Sequence, residues 1–166
     1  MPRGALAVAI AIFAAGTAAA ETSKSFEVTG RIVPGCAVIT DGGGRWGVID
    51  LGRVAGVAET SAEGVLLSAA GAGVSIECTP GVSASLFADQ GDHPAGGERH
   101  LKRAGGEETI RYRLYADGER VAWSNAAAPL AFTGGRRTVP IRAIAMLAAP
   151  AAAGTYTDTV RVTLTW

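Results

Sequence analysis

The sequence predicts an all-β domain built as an antiparallel sandwich, and three observations carry that prediction. Short runs alternate apolar and polar residues with the period of two expected of half-buried strands. Turn chemistry, chiefly Gly with Pro or Asp, separates these runs at regular spacing. Glycine is abundant (23 of 166 residues) and aromatics are few, while the Ala-rich stretches are broken by Gly and Pro and carry no useful helical stripe.

The first twenty residues stand outside this fold. Arg3 supplies a positive start, Leu6 to Ala15 is an unbroken apolar run, and Ala18, Ala19 and Ala20 form a small-residue cleavage pattern. This is expected to be a secretory signal peptide, residues 1–20, too short to span a membrane and cut near Ala20–Glu21. The remaining chain is one domain by length. Without Arg3 it holds 14 basic and 15 acidic residues, a net charge of about −1. No basic field argues for nucleic acid or an anionic membrane.

The strands follow in order. Lys24–Val33 alternates, with Phe26, Val28, Gly30 and Ile32 on one face. Pro34-Gly35 interrupts it and Cys36–Thr40 resumes, before the turn Asp41-Gly42-Gly43-Gly44. Arg45–Leu51 is expected to turn Trp46, Val48 and Ile49 inward. Gly64–Ser68 and Gly73–Cys78 come next, then the turn Thr79-Pro80-Gly81 and the strand Val82–Ala88. Asp89–Gly97 reads as a polar loop, and a short piece around His100–Arg103 precedes Gly105-Gly106. Thr109–Ala116 alternates cleanly, with Ile110, Tyr112 and Leu114 opposite Arg111, Arg113 and Tyr115. Asp117-Gly118 is a hairpin turn signal, which Val121–Ser124 would answer as return strand. Arg136–Leu147 contains Pro140, which marks an edge or a bulge. After the Ala/Pro linker 148–154, the final run places Val160, Val162, Leu164 and Trp166 on one face, and no closing strand follows it. Such a strand is either internal or leaves an edge open for another chain.

Two cysteines, Cys36 and Cys78, lie 42 positions apart. In an exported chain an even pair most simply forms one disulfide, with roughly 4 kcal/mol of stabilisation by the chain-entropy model. A metal site is the alternative, and it would need ligands beyond His93 and His100. Trp46 and Trp123 read as core or rim packing. Asp89, Asp92 and His93 match no cation-loop spacing and read as a solvated loop. Arg99, Lys102, Arg103, Arg111 and Arg113 are interleaved with Glu98, Glu107 and Glu108, as on a solvated sheet face. No nucleophile elbow, zinc-binding helix motif or phosphate-cradling Gly loop occurs, so the expectation is no enzyme, no cofactor and no metal.

Several segments together carry a family resemblance. They are FEVTGRIVPGC, VSIECT, RHLKRAGG, YRLYADGERVAW, VPIRAIAML with its Ala/Pro linker, and GTYTDTVRVTLTW, in this order and spacing. The chain resembles the spore coat protein U domain family, which includes the Csu-type pilins of archaic chaperone–usher pathways. The resemblance covers essentially all of residues 21–166. It implies an incomplete immunoglobulin-like β-sandwich that lacks its last strand and is completed by donor-strand complementation. A periplasmic chaperone would first lend the missing strand. The N-terminal segment of the next subunit would then replace it, with an outer-membrane usher exporting the growing head-to-tail polymer to the cell surface.

On this resemblance, residues 21–33 form a donor segment that overlaps the start of the first strand, and residues 34–166 form the sandwich. The donor residues would be Phe26, Val28, Gly30 and Ile32. The acceptor groove and C-terminal strand would comprise Tyr156, Val160, Val162, Leu164 and Trp166. Docking three large apolar side chains contributes on the order of 5–9 kcal/mol before backbone bonding and ordering costs. The expected product is an adhesive or biofilm-associated pilus. Two other readings stay open: a secreted coat or surface-layer protein, and a self-complete sandwich that binds a ligand such as a carbohydrate.

Overall fold

The computed structural model describes residues 22–40, 42–119, 122–132 and 134–166. The expected signal peptide lies outside these residues. Contacts divide the chain into two units, Met1–Arg31 and Ile32–Trp166. In the first, residues 22–31 form neither helix nor strand and are exposed, with Phe26 87% and Val28 82% accessible. The expected strand Lys24–Val33 is therefore absent. Alternation supplies an apolar face, but a strand also needs a partner for its backbone groups.

The second unit is all-β, with no helix among the described residues. Its strands are β1 (Cys36–Val38), β2 (Val48–Ile49), β3 (Thr60–Ser68), β4 (Gly71–Ala72), β5 (Val74–Cys78), β6 (Ser83–Ala88) and β7 (Arg99–Arg103). They continue with β8 (Thr109–Ala116), β9 (Ala128–Ala131), β10 (Arg136–Val139), β11 (Ile141–Leu147), β12 (Tyr156–Thr157) and β13 (Val162–Thr165). The large sheet has the order β12-β7-β8-β11-β3-β2, with β4 also paired to β3. Two smaller sheets run β1-β5-β10 and β13-β6-β9. All the strand pairs are antiparallel.

One core joins the layers. Val74 and Ile76 of β5, Leu86 of β6, Leu130 of β9 and Val139 of β10 pack in the same cluster as Leu66, Leu114, Ile141 and Ala143 of the large sheet. The least accessible of these are Ile76, Leu86, Val74 and Val139. This is the antiparallel sandwich that the alternation predicts, of the immunoglobulin-like kind that the resemblance implies, its inner faces filled mostly by alternate residues, with Val74, Ser75 and Ile76 of β5 all buried.

Three of the passages between sheets are short breaks between consecutive strands. The predicted run Arg136–Leu147 is two strands: β10 pairs with β5 in a small sheet, and β11 pairs with β3 and β8 in the large one. Pro140, without a backbone donor, sits at the break. Gly73, with φ +91°, marks the matching break between β4 and β5, and a Cβ there would overlap the Val139 carbonyl and crowd Pro140. The last run also divides. β12 pairs with β7, β13 pairs with β6, and residues 158–161 cross between the sheets.

Three further expectations are corrected. Val48 points out (59% accessible), while Trp46 and Ile49 are half-buried. Gly47, at φ +155° and tight against the Leu67 carbonyl, breaks the pleat, so the alternation does not run through it. Residues 122–124 form no return strand after the Asp117-Gly118 turn; the Trp123 backbone N–H instead donates to the Leu114 carbonyl at 2.6 Å, and the side chain is buried. β9 falls in a stretch for which the sequence reading names no strand, and it contains Pro129. It lies at the end of its sheet, where Pro is tolerated.

Candidate functional site: an open groove beside the last strand

The large sheet's inner face is incompletely covered. A groove of about 760 Å³ lies over it, floored in part by Leu66, Leu114, Ile141 and Ala143, with Val74 and Trp123 also lining it. Its rims come from opposite ends of the sheet order. One is residues 44–51, where Trp46, Ile49 and Leu51 turn in beside β2. The other is residues 157–162, where Val160 and Val162 turn in beyond β12. β13 pairs with β6 on one side, and among the described residues no strand pairs with its other edge. An apolar trough beside an unpaired strand edge is what an added β-strand can fill, with backbone bonds along the edge and alternate side chains in the trough.

Of the residues singled out in sequence, Val160 and Val162 line this groove. Leu164 packs on the core through its pairing with Leu86 and lies beyond the groove lining. Trp166 is 60% accessible. Tyr156 belongs to β12 in the other sheet, half-buried, its hydroxyl donating to the Ala152 carbonyl at 2.8 Å. Phe26, Val28, Gly30 and Ile32 bear no strand and are exposed. Cys36 and Cys78 are disulfide-bonded across directly paired positions of β1 and β5, their Cα atoms 4.1 Å apart.

A buried polar node, not anticipated as such, fixes the rim at 158–161. The Asp158 side chain is 1% accessible. Its Oδ1 accepts from the Asp92 N–H at 2.9 Å and lies 3.0 Å from His93 Nδ1, and its Oδ2 accepts from the Tyr112 hydroxyl at 2.6 Å. The Arg161 N–H donates to Asp89 Oδ1 at 2.9 Å, and the Asp89 N–H donates back to the Arg161 carbonyl at 3.0 Å. The Arg161 guanidinium adds a bond to Asp92 Oδ1 at 2.7 Å. The loop Asp89–His93, read from sequence as solvated, is therefore a clamp on the crossing segment 158–161. Among the described residues no group of His, Cys, Asp and Glu is placed to hold a metal ion.

Arg99 is also corrected. It is 7% accessible, and its guanidinium donates to the carbonyls of Asp89 (2.8 Å), Trp123 (2.6 Å) and Ala88 (3.1 Å). These bonds satisfy donors whose burial would otherwise be costly. The other members of the basic cluster lie on the surface as expected, Lys102 with Glu107, Arg103 with Glu108, and Arg111 and Arg113 with Glu98. Burial, reinforced by the bond to Asp158, pushes the Tyr112 phenol well above its ordinary range. Burial pulls the Arg99 guanidinium down. The hydrogen bond from Arg161 holds the Asp92 carboxyl below its ordinary value.

The signal for the node was present in the sequence. Asp158 keeps the parity of Val160 and Val162, a charge in phase with an apolar face. Such a residue is buried with partners or the strand is misread.

Comparison with known proteins follows the same lines. The Spore Coat Protein U domain model matches residues 22–163. A search of curated proteins finds no match. Among solved structures, the chain is similar to one in the pre-assembly complex of chaperone and tip adhesion subunit from archaic chaperone–usher Csu pili of Acinetobacter baumannii. There the identity is 15% and the TM-score 0.53, over 81% of this chain and 40% of that one. It is similar also to a chain of a chaperone–tip adhesin complex of CFA/I fimbriae, at 16% identity and a TM-score of 0.53, over 78% of this chain and 42% of that one. The chain thus spans about two-fifths of the length of these structures, and the likeness is one of fold. With the family model matched across the sandwich, the disulfide and the groove's rims, the chain belongs to the Spore Coat Protein U domain family.

Proposed function

We propose that this protein is a structural, non-catalytic pilus subunit, assembled by donor-strand exchange. The observation that carries the reading is the 760 Å³ apolar groove beside the unpaired edge of β13. A self-complete sandwich would fill that space with its own strand. In this reading a periplasmic chaperone occupies the groove first. The N-terminal segment of another subunit then replaces it, with Phe26, Val28 and Ile32 filling pockets and Gly30 leaving one unfilled. Residues 21–33 serve as donor and residues 34–166 as acceptor domain.

The chain would be exported by its signal peptide, assembled through an outer-membrane usher and displayed as an adhesive or biofilm-associated pilus at the cell surface. Repeated head to tail, such a contact does not close, which gives a filament. The test is co-expression with the chaperone of a chaperone–usher system and isolation of the periplasmic complex. A 1:1 complex in which residues 44–51 and 157–162 are shielded supports the reading. A stable chaperone-free monomer, unchanged in stability on deletion of residues 21–30, overturns it.

A further inference from the structure

We propose that the outer face of the large sheet carries a contact for the neighbouring copy of this chain in the fibre, an apolar stripe formed by Val48, Leu67, Val65, Ile144 and Met146. This rests on the reading of the chain as a subunit that polymerises through residues 21–33. It adds a second contact between copies, made by the side chains of a sheet face and separate from the groove.

The outward positions of an antiparallel sheet with one solvated face are normally polar. The two smaller sheets follow that rule: Ser83, Thr138, Thr163 and Thr165 are exposed on β6, β10 and β13. The large sheet does not. Among the described residues, five large apolar residues in strands are exposed, Val48, Val65, Leu67, Phe87 and Met146, and all but Phe87 lie on this one face. They are contiguous. Val48 pairs directly with Leu67, and Val65 lies two positions back along β3. Val65 stands opposite Arg142 and diagonal to Ile144, with Met146 two positions further along β11. Ion pairs border the stripe, Arg142 with Glu63, and Arg111 and Arg113 with Glu98. An apolar centre inside a polar rim is the anatomy of a protein contact.

Position and size name the occupant. The stripe starts beside the groove, where β2 turns Ile49 into the trough and Val48 outward. The chain also keeps successive copies close. With Ile32 as the last plug, Cys36 opens β1 of the donating copy four residues later, so that sandwich starts within about 14 Å of the groove's mouth. Five side chains are too few for a dimer between free copies, since a stable interface uses about 20–30 residues a side. A copy already tethered through the groove has a millimolar effective concentration, at which so small a patch is enough. The stripe is then covered in the fibre and open in a subunit that has not polymerised.

Met146 is the probe. The chain has two methionines, and the other, Met1, lies in the expected signal peptide. Hydrogen peroxide adds one oxygen to an exposed thioether, which mass spectrometry reads. Fibres purified from cells co-expressing the chain with a chaperone and an usher are compared with the chaperone-bound subunit. Met146 should oxidise about tenfold more slowly in the fibres. Leu67→Lys puts a charge into the stripe at a position 58% accessible, so the sandwich should still fold. Its fibres should form, with Met146 oxidising at the rate of the chaperone-bound subunit. Val65→Lys gives the same reading if Leu67→Lys does not fold. Ser83→Lys carries its charge on β6 in a smaller sheet and should keep the protection. Equal oxidation of wild-type fibres and chaperone-bound subunit overturns the proposal, as does protection that survives both Leu67→Lys and Val65→Lys. Absence of fibres from wild type overturns the polymer reading instead, and this contact with it.

Discussion

Gly91 is the residue on which the polar node depends most directly. Its φ is +80°, and a Cβ would overlap Asp158 Oδ2. Gly96 nearby has φ +59° with open space around it. Gly96→Ala should therefore carry only the backbone cost, about 1 kcal/mol, whereas Gly91→Ala should cost about 2–4 kcal/mol because the clamp must also shift. Urea midpoints of the two variants check this, and equal losses would show that the close approach to Asp158 does not matter. Tyr112 gives a pH signature. Its phenol is raised above its ordinary value by burial and by Asp158. A raised group contributes stability that is fully present below the unfolded pKa, about 10 for Tyr, and is lost as pH rises beyond it. Melting temperature should fall above about pH 10 in wild type, and Tyr112→Phe, less stable at neutral pH, should show a shallower fall. Single residues in phase, such as Tyr112 and Asp158, were legible in sequence. Their meeting was not, because they lie 46 positions apart, Tyr112 on β8 inside the large sheet and Asp158 in the segment that crosses between sheets.

At the scale of elements, the disulfide holds a short strand at the end of its sheet. β1 has three residues and pairs only with β5. Cys36 and Cys78 face each other in that pairing, closing a separation of 42. Cys36→Ser should lower stability by roughly 4 kcal/mol. Denaturant unfolding of the variant and of reduced wild type should agree; a variant as stable as the oxidised protein would contradict this. The strands that read true from sequence, β8 to the residue and β5, β6 and β7 to within a residue or two, keep one sheet throughout. Of the misread runs, 136–147 and 155–166 change sheets and 45–51 changes phase, while β3 starts at Thr60, four residues before the expected Gly64. Alternation reports which face is buried but not which sheet lies beneath. The run 136–147 therefore looked continuous, although β10 and β11 bond to different partners across Pro140. The Val48 error has the same origin. Gly47 resets the pleat, and a two-residue strand offers too few positions to reveal it.

At the scale of the whole molecule, the proposed reading makes one part of the chain a plug and another a socket, used between copies. Phe26, Val28 and Ile32 are exposed on an alternating segment, and the sandwich has an unfilled trough. The two have complementary chemistry, so one substitution separates folding from polymerisation. Val28→Asp places a charge where the donor reading requires an apolar side chain. An unpaired carboxylate entering such a groove costs several kcal/mol, comparable to the whole apolar gain from three plugs of about 1.5–3 kcal/mol each. The substitution lies in the unit Met1–Arg31, and Val28 is no member of the core cluster, so the fold of the sandwich should be unaffected. Thr29→Asp puts the same charge on the opposite face of the segment and serves as its control. Chaperone-bound subunit should be recovered at wild-type yield for both variants. Fibres counted by electron microscopy should be lost for Val28→Asp and retained for Thr29→Asp. Equal fibre formation by the two would mean that the face of the segment carrying Val28 does not enter the groove, and the donor assignment would fall with it.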